Sequence, residues 1–262
     1  MRFVALIAAA VLISPGAFLQ SRQAADGGFS EPGTAAYPQL TAWAALGLRA
    51  SGRDTGKALE YLQAHEKELT KPTDVALVAL AEGALGADAS PLLARLPAAP
   101  TQVNEAVWSI LALRQSGRPA PKALVAYVLG SQARTGGFPW LRGGKPDSND
   151  TAAAIEALSA AGVRGKPIAR ALVFLAAQQN KDGGFRLAKG RESDAQSTAF
   201  AIQAFVAARA KPPRSAFTYL ASLARSDGSY RYSRAYAVTP VWVTAQVLPA
   251  ILKKPFPLQT SR

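Results

Sequence analysis

Cysteine is absent from the chain, and His65 is its single histidine. Without cysteine there is no disulfide, no thiolate zinc ligand and no thiol nucleophile. Zinc sites draw three or four ligands mostly from His and Cys, so neither a metal nor a cofactor is expected. Acidic residues are also scarce: 17 Asp and Glu face 30 Lys and Arg, a formal charge of +13. The resulting field favours anionic partners such as surface polymers, acidic lipids or diphosphates. Nucleic acid is not expected as a partner, because no basic element with interleaved aromatics and no nucleic-acid module is visible. The apolar stretch Phe3 to Ile13 is too short to span a bilayer comfortably as a helix, so no stable transmembrane segment is expected.

What is present at the N-terminus is ordered. Arg2 precedes the apolar stretch, which runs into the small residues Ser14, Pro15, Gly16 and Ala17. That is the order of a secretory signal. The expectation is a signal peptide over residues 1–17, a mature chain starting between Ala17 and Arg22, and an exported protein. The competing reading is an outer helix of the first repeat, with Ser14 as N-cap and Pro15 in the first helical position opening a separate short helix.

A phrase recurs along the rest. Phe18 to Phe29 reads FLQSRQAADGGF, Tyr127 to Phe138 YVLGSQARTGGF and Phe174 to Phe185 FLAAQQNKDGGF, and Tyr219 to Tyr230 reads YLASLARSDGSY as a looser copy. Each precedes a polar loop and an Ala-rich helical stretch holding a Thr-Ala pair, at Thr41, Thr151, Thr198 and Thr244. The last three pairs recur about every 46 residues, a spacing typical of stacked or closed repeats. Two degenerate copies, Lys57 to Leu85 and Leu92 to Leu113, keep the helical period without the Gly-Gly-Phe phrase. Gly52, Gly86, Gly117 and Gly162 follow Ala/Leu-rich runs as C-terminal glycines, and Pro91, Pro121, Pro167 and Pro212 open or precede the next helix. The chain reads as one all-α domain over residues 18–262, built of about six helix pairs.

The aromatic-Leu pair, Gln and Asp-Gly-Gly-Phe pattern resembles the QW-type motif of squalene and oxidosqualene cyclases. DSNDTAAAIEAL and DAQSTAFAIQAF resemble inner-helix starts in the prenyltransferase/squalene cyclase superfamily. The resemblance implies an α/α toroid, with inner helices beginning near the Thr-Ala pairs and lining a central cavity. So widely used a fold does not fix the chemistry. Prenyltransferase zinc has no ligand set here, and a complement-type thioester lacks its cysteine. A single toroid also lacks the second helical barrel that triterpene cyclases use, which argues against a squalene-sized substrate.

The sharpest candidate for chemistry is Asp147-Ser148-Asn149-Asp150-Thr151-Ala152. It resembles the D-x-D-D-T-A motif of class II terpene cyclases, whose middle acid protonates an alkene or epoxide; here that position is Asn149, and an amide is no Brønsted acid. Asp147 and Asp150 remain as catalytic candidates. The sister motif Asp194-Ala195-Gln196-Ser197-Thr198-Ala199 again carries an amide, and a short acid before a helix is also what N-capping favours.

Trp43, Trp108, Phe200 and Trp242 on the inner helices are candidates to line a ligand cavity, or ordinary core. The loops carry Arg142 and Lys145; Arg186, Lys189 and Arg191; Arg231 and Arg234. In a toroid these gather at one end with the inner-helix N-termini, as a candidate anion-binding rim or a solvated one. The leading functional expectation is a non-catalytic toroid binding an anionic or amphipathic small molecule or a surface polymer. The alternatives are an acid-initiated terpenoid cyclase-like enzyme and a structural scaffold, the last favoured if the central cavity is occluded.

Overall fold

The computed structural model describes residues 13–258, so the leader expected over residues 1–17 lies outside the described residues as far as residue 12. Twelve α-helices alternate between an outer and an inner layer. The outer helices are α1 (Pro15–Gln20), α3 (Ala58–Ala64), α5 (Ser90–Leu93), α7 (Lys122–Leu129), α9 (Lys166–Ala176) and α11 (Arg214–Ser222). The inner ones are α2 (Pro38–Ala50), α4 (Pro72–Ala84), α6 (Val103–Gln115), α8 (Ser148–Ala160), α10 (Ala195–Ala207) and α12 (Pro240–Ile251). Each inner helix packs on the next, and α12 packs back on α2, closing a ring. The chain is an α/α toroid of six pairs. A two-stranded hairpin, β1 (Phe185–Arg186) with β2 (Ser193–Asp194), is the one sheet among the described residues.

Alanine and glycine on the inner helices let neighbouring backbones approach closely. At the closing seam a Cβ on Gly47 would lie 2.8 Å from the Ala245 carbonyl oxygen, so α2 and α12 meet at that distance only because Gly47 has none. The inner helices are buried nearly all round, whereas α9 buries only Ile168, Ala171 and Leu175 along one stripe. That division is what two concentric layers require.

The recurrent phrase has a physical role. In each of the four clear repeats the fully buried Thr hydroxyl accepts from the backbone amide of the phrase's last aromatic: Thr41 from Phe29, Thr151 from Phe138, Thr198 from Phe185 and Thr244 from Tyr230, each at 2.9 Å. The aromatics are buried beneath this link. The Gln of the phrase then ties its turn to the next outer helix, since the Gln132 amide donates to the Gly136 and Pro167 carbonyls and that of Gln179 to the Gly183 carbonyl and Ser215 hydroxyl. Gly183 needs its φ of +89° and has the Ser215 carbonyl oxygen 2.7 Å from where a Cβ would sit, so an L side chain is excluded twice over.

Successive repeats are also linked through helix N-termini, whose first amides lack partners within the helix. The Val103 amide donates to the Trp140 carbonyl at 2.9 Å, Ser148 to Leu187 at 3.0 Å and Ala195 to Tyr232 at 2.7 Å. At the closure a side chain replaces the carbonyl: the buried Glu31 carboxylate accepts from Val241 at 3.0 Å and Trp242 at 2.7 Å. Burial raises the Glu31 carboxyl above its usual range, against the opposing effect of those two amides and Arg22.

Helix α1 belongs to this closure. Ser14 caps it by accepting the Ala17 amide at 3.2 Å, Arg53 donates to the same hydroxyl at 2.8 Å, and Gly228 of the last repeat packs on the Ile13 and Ser14 carbonyls. Residue 17, where the leader is expected to end, lies within α1.

Candidate functional site

The inner helices α2, α6, α8, α10 and α12 run in the same direction, because their N-terminal halves line one cavity and their C-terminal ends another. At the N-terminal end the lumen holds a cavity of about 210 Å³. Its walls follow the helical register of the Thr-Ala pairs. Two residues after the Thr, or its equivalent Ala106, stand Trp43, Trp108, Ala153, Phe200 and Gln246; two residues before stand Gln39, Asn104, Asn149, Gln196 and Trp242. All of these except Gln39 line the cavity. The mouth is thus a layer rich in amides above a layer rich in aromatics.

The four aromatic residues expected to line a cavity converge. Trp43 stands at the centre, with its ring centroid 5.6 Å from Trp108, 6.1 Å from Phe200 and 6.1 Å from Trp242. A fifth ring, Phe256, approaches Trp43 to 5.9 Å from the other end of the ring. Trp43 and Phe256 together partition the lumen, so the central cavity is occluded at mid-depth. Gln246 is 1% exposed, and neither polar atom of its amide has a protein partner.

Asp147 and Asp150 differ sharply in role. Asp147 is the N-cap of α8 and accepts the Asp150 amide at 2.8 Å. Asp194 does the same for α10, accepting the Ser197 amide at 2.6 Å and its hydroxyl at 2.8 Å. Asp150 instead lines the cavity and accepts from the Asn104 amide at 3.0 Å. Burial, and then the neighbouring Asp147 carboxylate, hold the Asp150 carboxyl well above the usual carboxylate range, against the Asn104 hydrogen bond. Both effects favour the protonated form of this carboxyl in the cavity wall. Burial likewise raises the Asp194 carboxyl, but that group is spent on its cap.

The loop cations share the N-terminal end without converging on one point. Arg142 lies 4.7 Å over the Tyr127 ring, and Arg234 lies 5.7 Å over Tyr219. Arg186 donates to the Asn180 side chain at 2.6 Å and the Ala177 carbonyl at 2.8 Å, and Arg231 to the Arg234 carbonyl at 3.0 Å. These arginines brace their own loops. Lys145, Lys189 and Arg191 are exposed, and Arg191 and Arg234 border a groove of about 640 Å³ with Asp182 and Glu192. The same loops expose Trp140, Leu141, Tyr236 and Val238, so the rim is amphipathic as well as basic. Among the described residues no group of three or more His, Cys, Asp or Glu side chains is placed to hold a metal.

Asn104, Gln196 and Gln246 were not anticipated as lining residues. Their signal is positional: counting two residues either side of each repeat Thr, or of the equivalent Ala106, finds the whole lining except Asp150, which directly precedes its Thr.

No protein-family model matches the chain, and no curated protein matches it. Solved structures do. A variant of the type II terpene cyclase MstE from Scytonema, in complex with geranylgeranyl dihydroxybenzoate, superposes with a TM-score of 0.67 at 15% identity, over 91% of this chain and 95% of that one. A protein from Actinoplanes matches with a TM-score of 0.65 at 19% identity, over 91% and 97%. A glycosidase matches with a TM-score of 0.66 at 13% identity, over 91% and 94%. What these neighbours share with the chain is the α/α toroid fold.

Proposed function

We propose that this protein is an exported, non-catalytic toroid that binds an amphipathic anion at the N-terminal end of its inner helices. A short apolar segment of the ligand enters the deeper layer of Trp43, Trp108, Phe200 and Gln246, its polar junction meets Asn104, Asn149 and Gln196 beside Trp242, and its anionic head faces the rim that carries Arg142, Lys145, Arg186, Lys189, Arg191, Arg231 and Arg234. The observation that carries this reading is Gln246, whose buried amide lines the cavity with both polar atoms unpartnered. A buried amide left unmatched costs stability, so its persistence favours a ligand that completes it. The exposed Trp140 and Tyr236 beside cations suit an acidic amphiphile, and Asp150, whose protonated form is favoured, adds little repulsion. Occlusion by Trp43 and Phe256 suits a scaffold in the deep lumen, but it leaves the mouth open to a ligand.

Octyl phosphate is a suitable probe, with octyl glucoside as the uncharged control, read by intrinsic fluorescence since Trp43, Trp108 and Trp242 line the cavity. A saturable change with octyl phosphate, weakened in Gln246→Leu, is expected. No change with octyl phosphate, together with no retained ligand in native mass spectrometry of protein from its own host, would sink the proposal. Export belongs to the same proposal, with the mature chain starting between Ala17 and Arg22; intact mass of secreted material tests it.

A second reading, a terpenoid cyclase-like enzyme, is favoured by Asp150, a carboxyl biased towards its protonated form, facing an aromatic wall, the arrangement that alkene protonation needs. A neighbour of this fold, MstE, takes geranylgeranyl dihydroxybenzoate. The cavity of about 210 Å³ lies below the usual range for ligand sites of roughly 300–1,000 Å³, which restricts such chemistry to a much smaller alkene. Product analysis with geranyl, farnesyl and geranylgeranyl substrates decides it: a cyclised product lost in Asp150→Asn would replace the binding reading.

A further inference from the structure

The opposite end of the ring carries a larger concavity that the function proposed above does not use. It measures about 870 Å³ and is lined by the C-terminal ends of α2, α6, α8, α10 and α12 and by the closing segment Lys253 to Leu258. Each of these five helix ends contributes at least one cation: Arg49, Arg114, Arg164, Arg209, and Lys253 with Lys254. Among the described residues none of the six lies within 4.0 Å of a carboxylate. The one acid in the lining is Glu156, which is 1% exposed and accepts the Phe256 amide at 2.6 Å. Burial pushes its carboxyl up to about 8, so it contributes little negative charge at neutral pH.

Basic residues at helix C-termini complement the helix dipole, and that explains one cation per helix end. It does not explain the remaining features. Ser159 is 6% exposed and lines the bowl with its hydroxyl unpartnered, and Arg114, in the same lining, has its Nε buried and unpartnered as well. Unmatched donors in the wall of a positive concavity are what an oxyanion would satisfy. We propose that this bowl is a binding site for a small, soluble, multiply phosphorylated anion, gripped by Arg49, Arg114, Arg164, Arg209 and Lys254, with Ser159 and Arg114 donating at its base. The volume falls within the range of small-molecule sites, and a ring of cations on five different helices favours a ligand bearing several phosphates over one bearing a single phosphate.

The test is calorimetric titration of the full chain at physiological salt with inositol hexakisphosphate, tripolyphosphate and orthophosphate. The comparison is between a bowl variant, Arg164→Glu with Arg209→Glu, and a rim variant of equal charge change, Lys145→Glu with Lys189→Glu. Saturable binding of the polyphosphates, stronger than that of orthophosphate, is expected, with about a tenfold or greater loss in the bowl variant and little loss in the rim variant. If charge reversal lowers the melting temperature, Arg164→Gln with Arg209→Gln makes the same comparison. Equal loss in both variants, or no polyphosphate binding, overturns the proposal. So does a bowl variant that loses only binding to phosphatidylglycerol vesicles, since that assigns the phosphate to a lipid surface. Octyl phosphate binding at the other end is read separately by tryptophan fluorescence, so either site can fail alone.

Discussion

The two ends of the ring differ in how the chain crosses between layers. At the inner-helix N-termini the connections are long, residues 21–37, 130–147, 177–194 and 223–239 in the four clear repeats, and they fold over the ring, cap the helices and reduce the lumen to about 210 Å³. At the C-termini they are short, such as residues 161–165 between α8 and α9, and a bowl of about 870 Å³ stays open. Motif residues concentrate at the first end because long loops need specific hydrogen bonds to hold them. The second end takes its shape from helix lengths and its charge from cations that, among the described residues, have no carboxylate partner. An end dense in motifs is therefore not by that fact the end with the larger site.

Removing the partition between the two ends should have the largest effect. Trp43→Ala deletes the ring that meets Trp108, Phe200, Trp242 and Phe256. The loss of packing should cost about 3–5 kcal/mol in urea unfolding. The same variant should join the two cavities, so that octyl phosphate and tripolyphosphate, independent in the native protein, affect each other's titrations. Continued independence would mean that other side chains divide the lumen.

The open end has its own titrating group. The Glu156 carboxyl, raised to about 8 in the folded chain from an ordinary value near 4.5, binds a proton more tightly folded than unfolded. Its contribution to stability is therefore greatest below pH 4.5 and is lost as pH rises towards 8. Glu156→Gln keeps an acceptor for the Phe256 amide and removes the titration. It should unfold harder than the native protein at pH 8, by roughly 2–4 kcal/mol, with the advantage shrinking towards pH 4. Urea titrations at both pH values check this, and a pH-independent difference would contradict it.

At the closed end, Thr198→Val keeps shape but leaves the buried Phe185 amide without its 2.9 Å partner. A loss of about 1–3 kcal/mol is expected, as for Thr41→Val at the first repeat. Exposed Arg164→Gln at the open end should change stability by less than about 0.5 kcal/mol. Equal losses at both ends would erase the contrast between them.

Much of this was legible because each repeat states its reasons locally. Thr198 and Phe185 are motif residues since one bonds the other, and Gly183 is fixed by close approach, so the recurrence of the phrase carries the toroid. The degenerate copies still gave α3 to α6 through helical period alone. The aromatic lining was legible from the same register. Features that occur once were not. Glu31 caps α12 from across the ring, where every other link of this kind is a backbone carbonyl; Phe256 plugs the lumen from a segment with no repeat; and the bowl assembles cations spaced along five helices. A periodic reading has no term for the place where the period closes. Ser14 likewise combines a local cap with contacts to Arg53 and Gly228 in other repeats, which the period does not announce.

A pH-dependent effect concerns Asp147, where capping and electrostatics pull in opposite directions. Its carboxylate accepts the Asp150 amide, which stabilises the start of α8, and its charge also raises the Asp150 carboxyl. Asp147→Ala should cost about 1 kcal/mol, and Asp147→Asn less, because asparagine also caps. The pH dependence separates the two contributions. Asp150, with a raised folded value, loses stabilisation as pH climbs from the ordinary carboxylate range, and removing the neighbouring charge lessens that loss. Asp147→Asn should therefore compare least well with the native protein near pH 4, where Asp150 is protonated in both, and best near pH 8. At Asp194, whose raised value stems from burial and is opposed by its own cap hydrogen bonds, the equivalent substitution should show no such recovery at high pH. Thermal melts of Asp147→Asn and Asp194→Asn across this range make the comparison, and parallel curves for the two would mean that the Asp147 charge does not act on Asp150.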